Sequence, residues 1–126
     1  MSEWHDVLMY ARGADTDADQ WHELPPAEQV DVAVESFRML ADPTRLRIMW
    51  LLCGGEYDVT SLANAVGIAR PAVSQHLAKL RLTGLVSTHR DGRRALYRAR
   101  GGHVRRMLTE ALETAYHQVS GAQDHD

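Results

Sequence analysis

The sequence predicts a mainly α-helical domain with one small β-hairpin, an α+β arrangement in which the hairpin comes just before a last helix. Three observations predict it. Apolar residues recur at helical spacing in most segments between Pro25 and Val119. Glycines and prolines punctuate those segments where helices stop and start. Only the stretch around Asp91-Gly92 reads as two strands joined by a strong hairpin signal. With 126 residues the chain is one domain's worth, at roughly 100–200 residues per domain. Its 44% hydrophobic and 25% charged content is globular, and no apolar run approaches the roughly 20 residues that cross a bilayer.

Each element follows from local signals. Residues 1–22 read as an accessory segment, a short helix (Trp4, Val7, Leu8, Ala11) and then a linker of small and acidic residues. Residues 23–120 form the body and 121–126 a flexible tail. Pro25-Pro26 opens a first body helix with Val30, Ala33, Val34, Phe37 and Leu40 in phase. Asp42-Pro43 supplies an N-cap and a first-turn proline for a second helix through Leu46, Met49, Leu52 and Cys53, stopped by Gly54-Gly55. Asp58 or Thr60 caps a short helix over 61–66 that Gly67 ends, and Pro71 begins another through Val73, Leu77 and Leu80. Strands over 85–89 and 95–98 follow, joined across Arg90-Asp91-Gly92-Arg93. A final helix runs from about Gly102 to Val119 with Val104, Leu108, Ala111, Leu112, Ala115 and Val119 on one face.

Charge is unevenly placed. Between Gly67 and Arg106 stand ten Lys/Arg and one acid, a net of +9, while the rest carries four arginines and sixteen acids, a net of −12. Such a segment in an acidic chain is the footprint of a polyanion-binding face. The order helix, helix, turn, helix, basic hairpin is the layout of a winged helix-turn-helix, whose second helix of the pair enters the DNA major groove. Ala63 allows close approach of the pair, Gly67 makes the turn, and Val73 packs the second helix back on the first. With Val73, Leu77 and Leu80 inward, Arg70, Ser74, Gln75 and Lys79 face outward. Arginine pairs with guanine edges, glutamine with adenine and serine with either, while Lys79 suits a phosphate. His76 stands beside them, a base contact or a partly buried packing residue. Arg90, Arg93 and Arg94 straddle the neighbouring backbone or minor groove.

Three stretches, Phe37 to Ile48 (FRMLADPTRLRI), Val73 to Arg81 (VSQHLAKLR) and Asp91-Gly92-Arg93-Arg94 with Tyr97, resemble the ArsR/SmtB family of bacterial repressors over about residues 27–119. The resemblance implies a winged-helix homodimer that pairs through its first and last helices. It also implies binding to a palindromic operator and release on sensing a ligand, usually a metal ion. It puts Ser74, Gln75 and His76 at the base-contacting positions. The family's cysteine-pair metal site is missing, because Gly55-Glu56-Tyr57-Asp58 stands in its place and Cys53 is the only cysteine.

The last helix offers another site. His103 and His117 share a face but lie ~21 Å apart along the axis, so one chain cannot bring both to a metal. Antiparallel pairing with a twofold mate, crossing near Glu110, sets His103 of one chain opposite His117 of the other. Met107, Glu110 and Thr114 lie on the same stripe. Two imidazoles with oxygen ligands suit nickel, cobalt or zinc. Against the family's interfacial zinc pattern, Gly101 replaces an Asp and Thr114 a His. The chain looks closer to actinobacterial nickel/cobalt sensors that draw further histidines from the termini, here His125 or His5. The alternative is a regulator of this type without a metal site, responding to another signal or partner.

An enzyme is disfavoured, since no acid/base pair stands at a recognised catalytic spacing. A winged helix that binds protein instead of DNA is opposed by the outward Arg70, Ser74, Gln75 and Lys79 and the basic hairpin. An architectural DNA-coating protein predicts weak sequence preference and no operator. The N-terminus shows neither a basic leader nor a long apolar stretch, which leaves the cytoplasm as the expected compartment.

Overall fold

The computed structural model describes residues 21–121. The chain divides into two compact units between Glu35 and Ser36. Helix α1 (Ala27–Leu40) is continuous across that division. The accessory segment expected over residues 1–22 and the tail over 121–126 fall, apart from Trp21, His22 and Gly121, outside the described residues.

In the second unit α2 (Pro43–Gly54) starts as its sequence dictates. The Asp42 carboxylate accepts from the Arg45 N–H at 2.9 Å and Pro43 fills the first turn, where its missing N–H costs nothing. Helix α3 (Val59–Val66) is capped by Asp58, not Thr60, through the Ser61 N–H at 2.8 Å. Gly67 closes it at φ +82°, with Gly67 and Ile68 both donating to the Ala63 carbonyl. A Cβ on Gly67 would meet nothing within 4 Å, so the demand for glycine there is conformational, not steric. Gly67→Ala is therefore expected to lower stability by about 1–2 kcal/mol, read as a shift of the denaturant midpoint, with Gly67→Asn costing less because asparagine enters this region more readily.

Helix α4 (Arg70–Leu82) has Pro71 in its first turn and no side-chain cap. Strands β1 (Val86–Asp91) and β2 (Arg94–Ala99) pair antiparallel from Val86 opposite Ala99 to Asp91 opposite Arg94. The hairpin is longer than the sequence suggests. Its two-residue loop is Gly92-Arg93, with Gly92 at φ +65° and Arg93 not in the positive region. Asp91 is thus the last strand residue, not a turn residue. Glycine in the first loop position is the requirement of the turn whose twist matches that of paired strands. Backbone bonds between Tyr57 and Tyr97, 3.0 and 2.8 Å, join β2 to the chain leaving α2. Helix α5 (His103–Val119) completes the unit.

The core gathers Ile48, Met49 and Leu52 of α2, Leu62 and Ala63 of α3, Val73, Leu77 and Leu80 of α4, Leu85, Val86, and Val104 and Leu108 of α5. The last helix departs from its expected apolar stripe. Only Val104 and Leu108 are buried, Leu112 and Ala115 are half-buried, and Ala111 and Val119 are exposed. Among the described residues of this unit, little packs on the outer half of α5. Cys53 is buried as expected, and loss of water pushes its thiol up from its ordinary range.

Candidate nucleic-acid interface

Helix α4 has two unlike faces. Val73, Leu77 and Leu80 are fully buried, while Arg70, Ser74, Gln75 and Lys79 are all exposed. The short α3 and its left-handed Gly67 cap hold α4 against α2, so the outward residues stand on a helix fixed from behind. At the hairpin end Arg90, Arg93 and Arg94 are exposed as well. Arg90 Nη2 donates to the Arg93 carbonyl at 3.2 Å and so stiffens the tip.

Two of the residues picked from sequence are tied by bonds that sequence does not reveal. His76 is half-buried, and its Nδ1 lies 3.3 Å from Nη1 of Arg45. Arg45 also donates from Nε to the Met39 carbonyl at 2.7 Å. A guanidinium can only donate, so Nδ1 accepts and the ring proton sits on Nε2. His76 is therefore both a packing residue and a candidate donor toward a base. Arg94 Nε lies 3.1 Å from Asp58 Oδ2, which ties the wing tip to the N-cap of α3. Its charge is partly satisfied before any DNA arrives, unlike that of Arg93.

The capping carboxylates have a consequence for acid stability. The backbone N–H of Arg45 chiefly holds Asp42 below its ordinary range, and the Ser61 backbone and hydroxyl do the same for Asp58. Both groups bind protons more weakly folded than unfolded. Their contribution is present above the unfolded value of about 4 and is lost as pH falls through the lowered folded values. Acid titration followed by circular dichroism is expected to show this loss, and Asp42→Asn with Asp58→Asn to flatten it.

The described part of α5 presents His103, Glu110 and His117 exposed along one stripe. His103 Nδ1 faces Arg106 Nη2 at 2.7 Å, and Glu110 takes the Thr114 hydroxyl on its backbone carbonyl. Among the described residues no three His, Cys, Asp or Glu side chains lie together as a metal set. His5 and His125 fall outside the described residues.

A helix pair joined by a left-handed glycine turn, an exposed polar face on the second helix and a basic two-stranded wing define a winged helix-turn-helix DNA-binding protein. The sequence pattern described as "Bacterial regulatory protein, arsR family" matches residues 42–88. The HTH-type transcriptional regulator KmtR of Mycobacterium tuberculosis is 45% identical over 108 residues, covering 86% of this chain and 83% of the relative. The HTH-type transcriptional repressor SmtB of the same organism is 37% identical over 91 residues, 72% of this chain and 67% of its own. The solution structure of the homodimeric winged helix-turn-helix DNA-binding domain of Mb0332 from Mycobacterium bovis superposes with a TM-score of 0.69. It is 29% identical and covers 88% of this chain and 94% of that one. The chain belongs to the arsR family of bacterial regulatory proteins and is a DNA-binding transcriptional regulator, not an enzyme. Among the described residues no helix is long and apolar enough to cross a membrane.

Proposed function

We propose that this protein is a homodimeric repressor that sits on a palindromic operator and is released by a metal ion held between the last helices of two chains. The exposed Ser74-Gln75 face of α4, fixed over a buried apolar face and flanked by the wing arginines, carries the DNA half of this reading. Gln75, Ser74 and the Nε2 proton of His76 read base edges, and Arg70 is placed to meet a guanine. Lys79, Arg90 and Arg93 hold phosphates, with Arg94 supporting the wing.

Homodimerisation is supported by what the described residues leave uncovered. Val30, Val34 and Phe37 on α1, and Tyr116 and Val119 on α5, are exposed. A second copy covers such faces at low cost, and the Mb0332 domain is described as homodimeric.

The donor set on α5, two imidazoles and the Glu110 carboxylate, suits a borderline divalent ion such as nickel, cobalt or zinc. His103 and His117 would hold it from different chains, with Glu110, His125 or His5 completing the set. The ion supplies a cross-link between helices. The residues do the rest: His103 follows directly on the Arg100-Gly101-Gly102 link from the wing, so a shift of α5 is passed to β2. Release requires that the ion favour the DNA-incompetent dimer, and a coupling of about 1–3 kcal/mol shifts operator affinity about 5–150-fold. The hydrogen bond from Arg106 to His103 favours one other reading, a regulator of the same type that senses no metal.

Fluorescence anisotropy on the chain's own upstream promoter DNA, with nickel, cobalt, zinc or no metal, tests both halves. Loss of affinity with one metal is expected, and His103→Ala with His117→Ala is expected to abolish that response while leaving metal-free binding within about twofold. Tight binding indifferent to every metal would leave the repressor and discard the sensor.

A further inference from the structure

The basic segment serves more than one surface. Arg98, Arg100 and Arg105 stand at the far end of β2 and the start of α5. From Arg94 at the wing tip to Arg100 the extended chain covers roughly 20 Å, at about 3.3 Å per residue. These arginines are remote from the tip that meets DNA. They line instead a cleft of about 460 Å³ between the end of α2, the base of the hairpin and the first turn of α5.

The cleft is positively biased, with three guanidiniums against the single carboxylate of Glu56. Glu56 is shared, 3.9 Å from Arg98 and 3.6 Å from His89. Arg105 Nη2 donates to the Cys53 carbonyl at 2.6 Å, which fixes the side chain and offsets the negative end of α2. Arg100 makes no ion pair among the described residues. Gly55 leaves open space where a side chain would stand. Ser87 adds a hydroxyl.

We propose that this cleft is a binding site for a small metabolite carrying an oxyanion, carboxylate or phosphate, gripped by Arg98, Arg100 and Arg105. Its volume lies within the roughly 300–1,000 Å³ that small ligands occupy, and arginine forks match both kinds of oxyanion. A ligand there touches β2, the Arg100-Gly101 link and α5 together, so it would couple to DNA affinity by a route separate from the α5 histidines. The proposal does not rest on metal sensing.

The test is an amide NMR titration of the ¹⁵N-labelled full chain with inorganic phosphate and with citrate at constant ionic strength. Saturable shifts are expected at Gly54, Gly55, Ser87 and Gly101, with a Kd of about 1 mM or tighter for at least one probe. Arg98→Gln with Arg100→Gln is expected to weaken them at least tenfold, and Arg100→Gln alone serves should the pair fail to fold. Shifts that never saturate, or that are as large at the wing tip, would overturn the site. Salt dependence of operator binding separates a free anion from a DNA phosphate. The double variant keeps the parent slope if the site takes a metabolite, and a slope shallower by about 2 would assign these arginines to DNA and refute the proposal.

Discussion

Leu77→Ala is expected to lower stability by about 2–5 kcal/mol, a large share of the roughly 5–15 kcal/mol that holds a domain folded. Leu77 is 1% exposed and sits in the cluster with Ile48, Leu62 and Leu80, so truncation removes buried apolar surface and leaves a cavity that α2 and α3 cannot collapse into without moving. Urea unfolding would read the effect as a fall in midpoint at unchanged slope. Leu82→Ala on the same helix is the control, because Leu82 is 88% exposed and its loss should stay within about 0.5 kcal/mol. A drop below 1 kcal/mol for Leu77 would mean that this contact does not hold the reading helix.

Gln75→Ala should leave stability alone and strike recognition. One bidentate base contact is worth about 1–3 kcal/mol of discrimination, so operator affinity should fall about 5–150-fold while binding to unrelated duplex barely changes. Arg93→Ala should behave in the opposite sense, weakening every sequence to a similar degree and making the salt slope shallower by about 1. Competition between operator and random DNA across a salt series distinguishes the two. A Gln75 variant that loses affinity equally for both duplexes would show that the residue positions the helix and reads no base.

What was legible in the sequence was local. Asp42-Pro43 starts a helix because cap and proline act within one turn, and Gly67 breaks one because its own φ decides the matter. Val73, Leu77 and Leu80 announce the buried face of α4 through their spacing alone. The sequence signals the hairpin but sets its turn one residue early, since Asp-Gly and Gly-Arg both satisfy glycine and only strand register separates them. The bonds from Arg45 to His76 and from Arg94 to Asp58 span 31 and 36 residues. No periodicity encodes such pairs. The division of the basic residues between the wing tip and a cleft is equally hidden, because charge counted along a chain does not say which end of a strand it lies on. The apolar stripe on α5 is longer than the part of it that is buried, since one face of a helix can be apolar for a partner as well as for its own core.

The paired backbone bonds between Tyr57 and Tyr97 bear on how such a protein can respond. A two-stranded ribbon on its own is floppy, yet this one is pinned midway along β2 to the segment that leaves α2. A displacement of β2 is therefore passed to the segment between α2 and α3 as well as to β1, its partner strand.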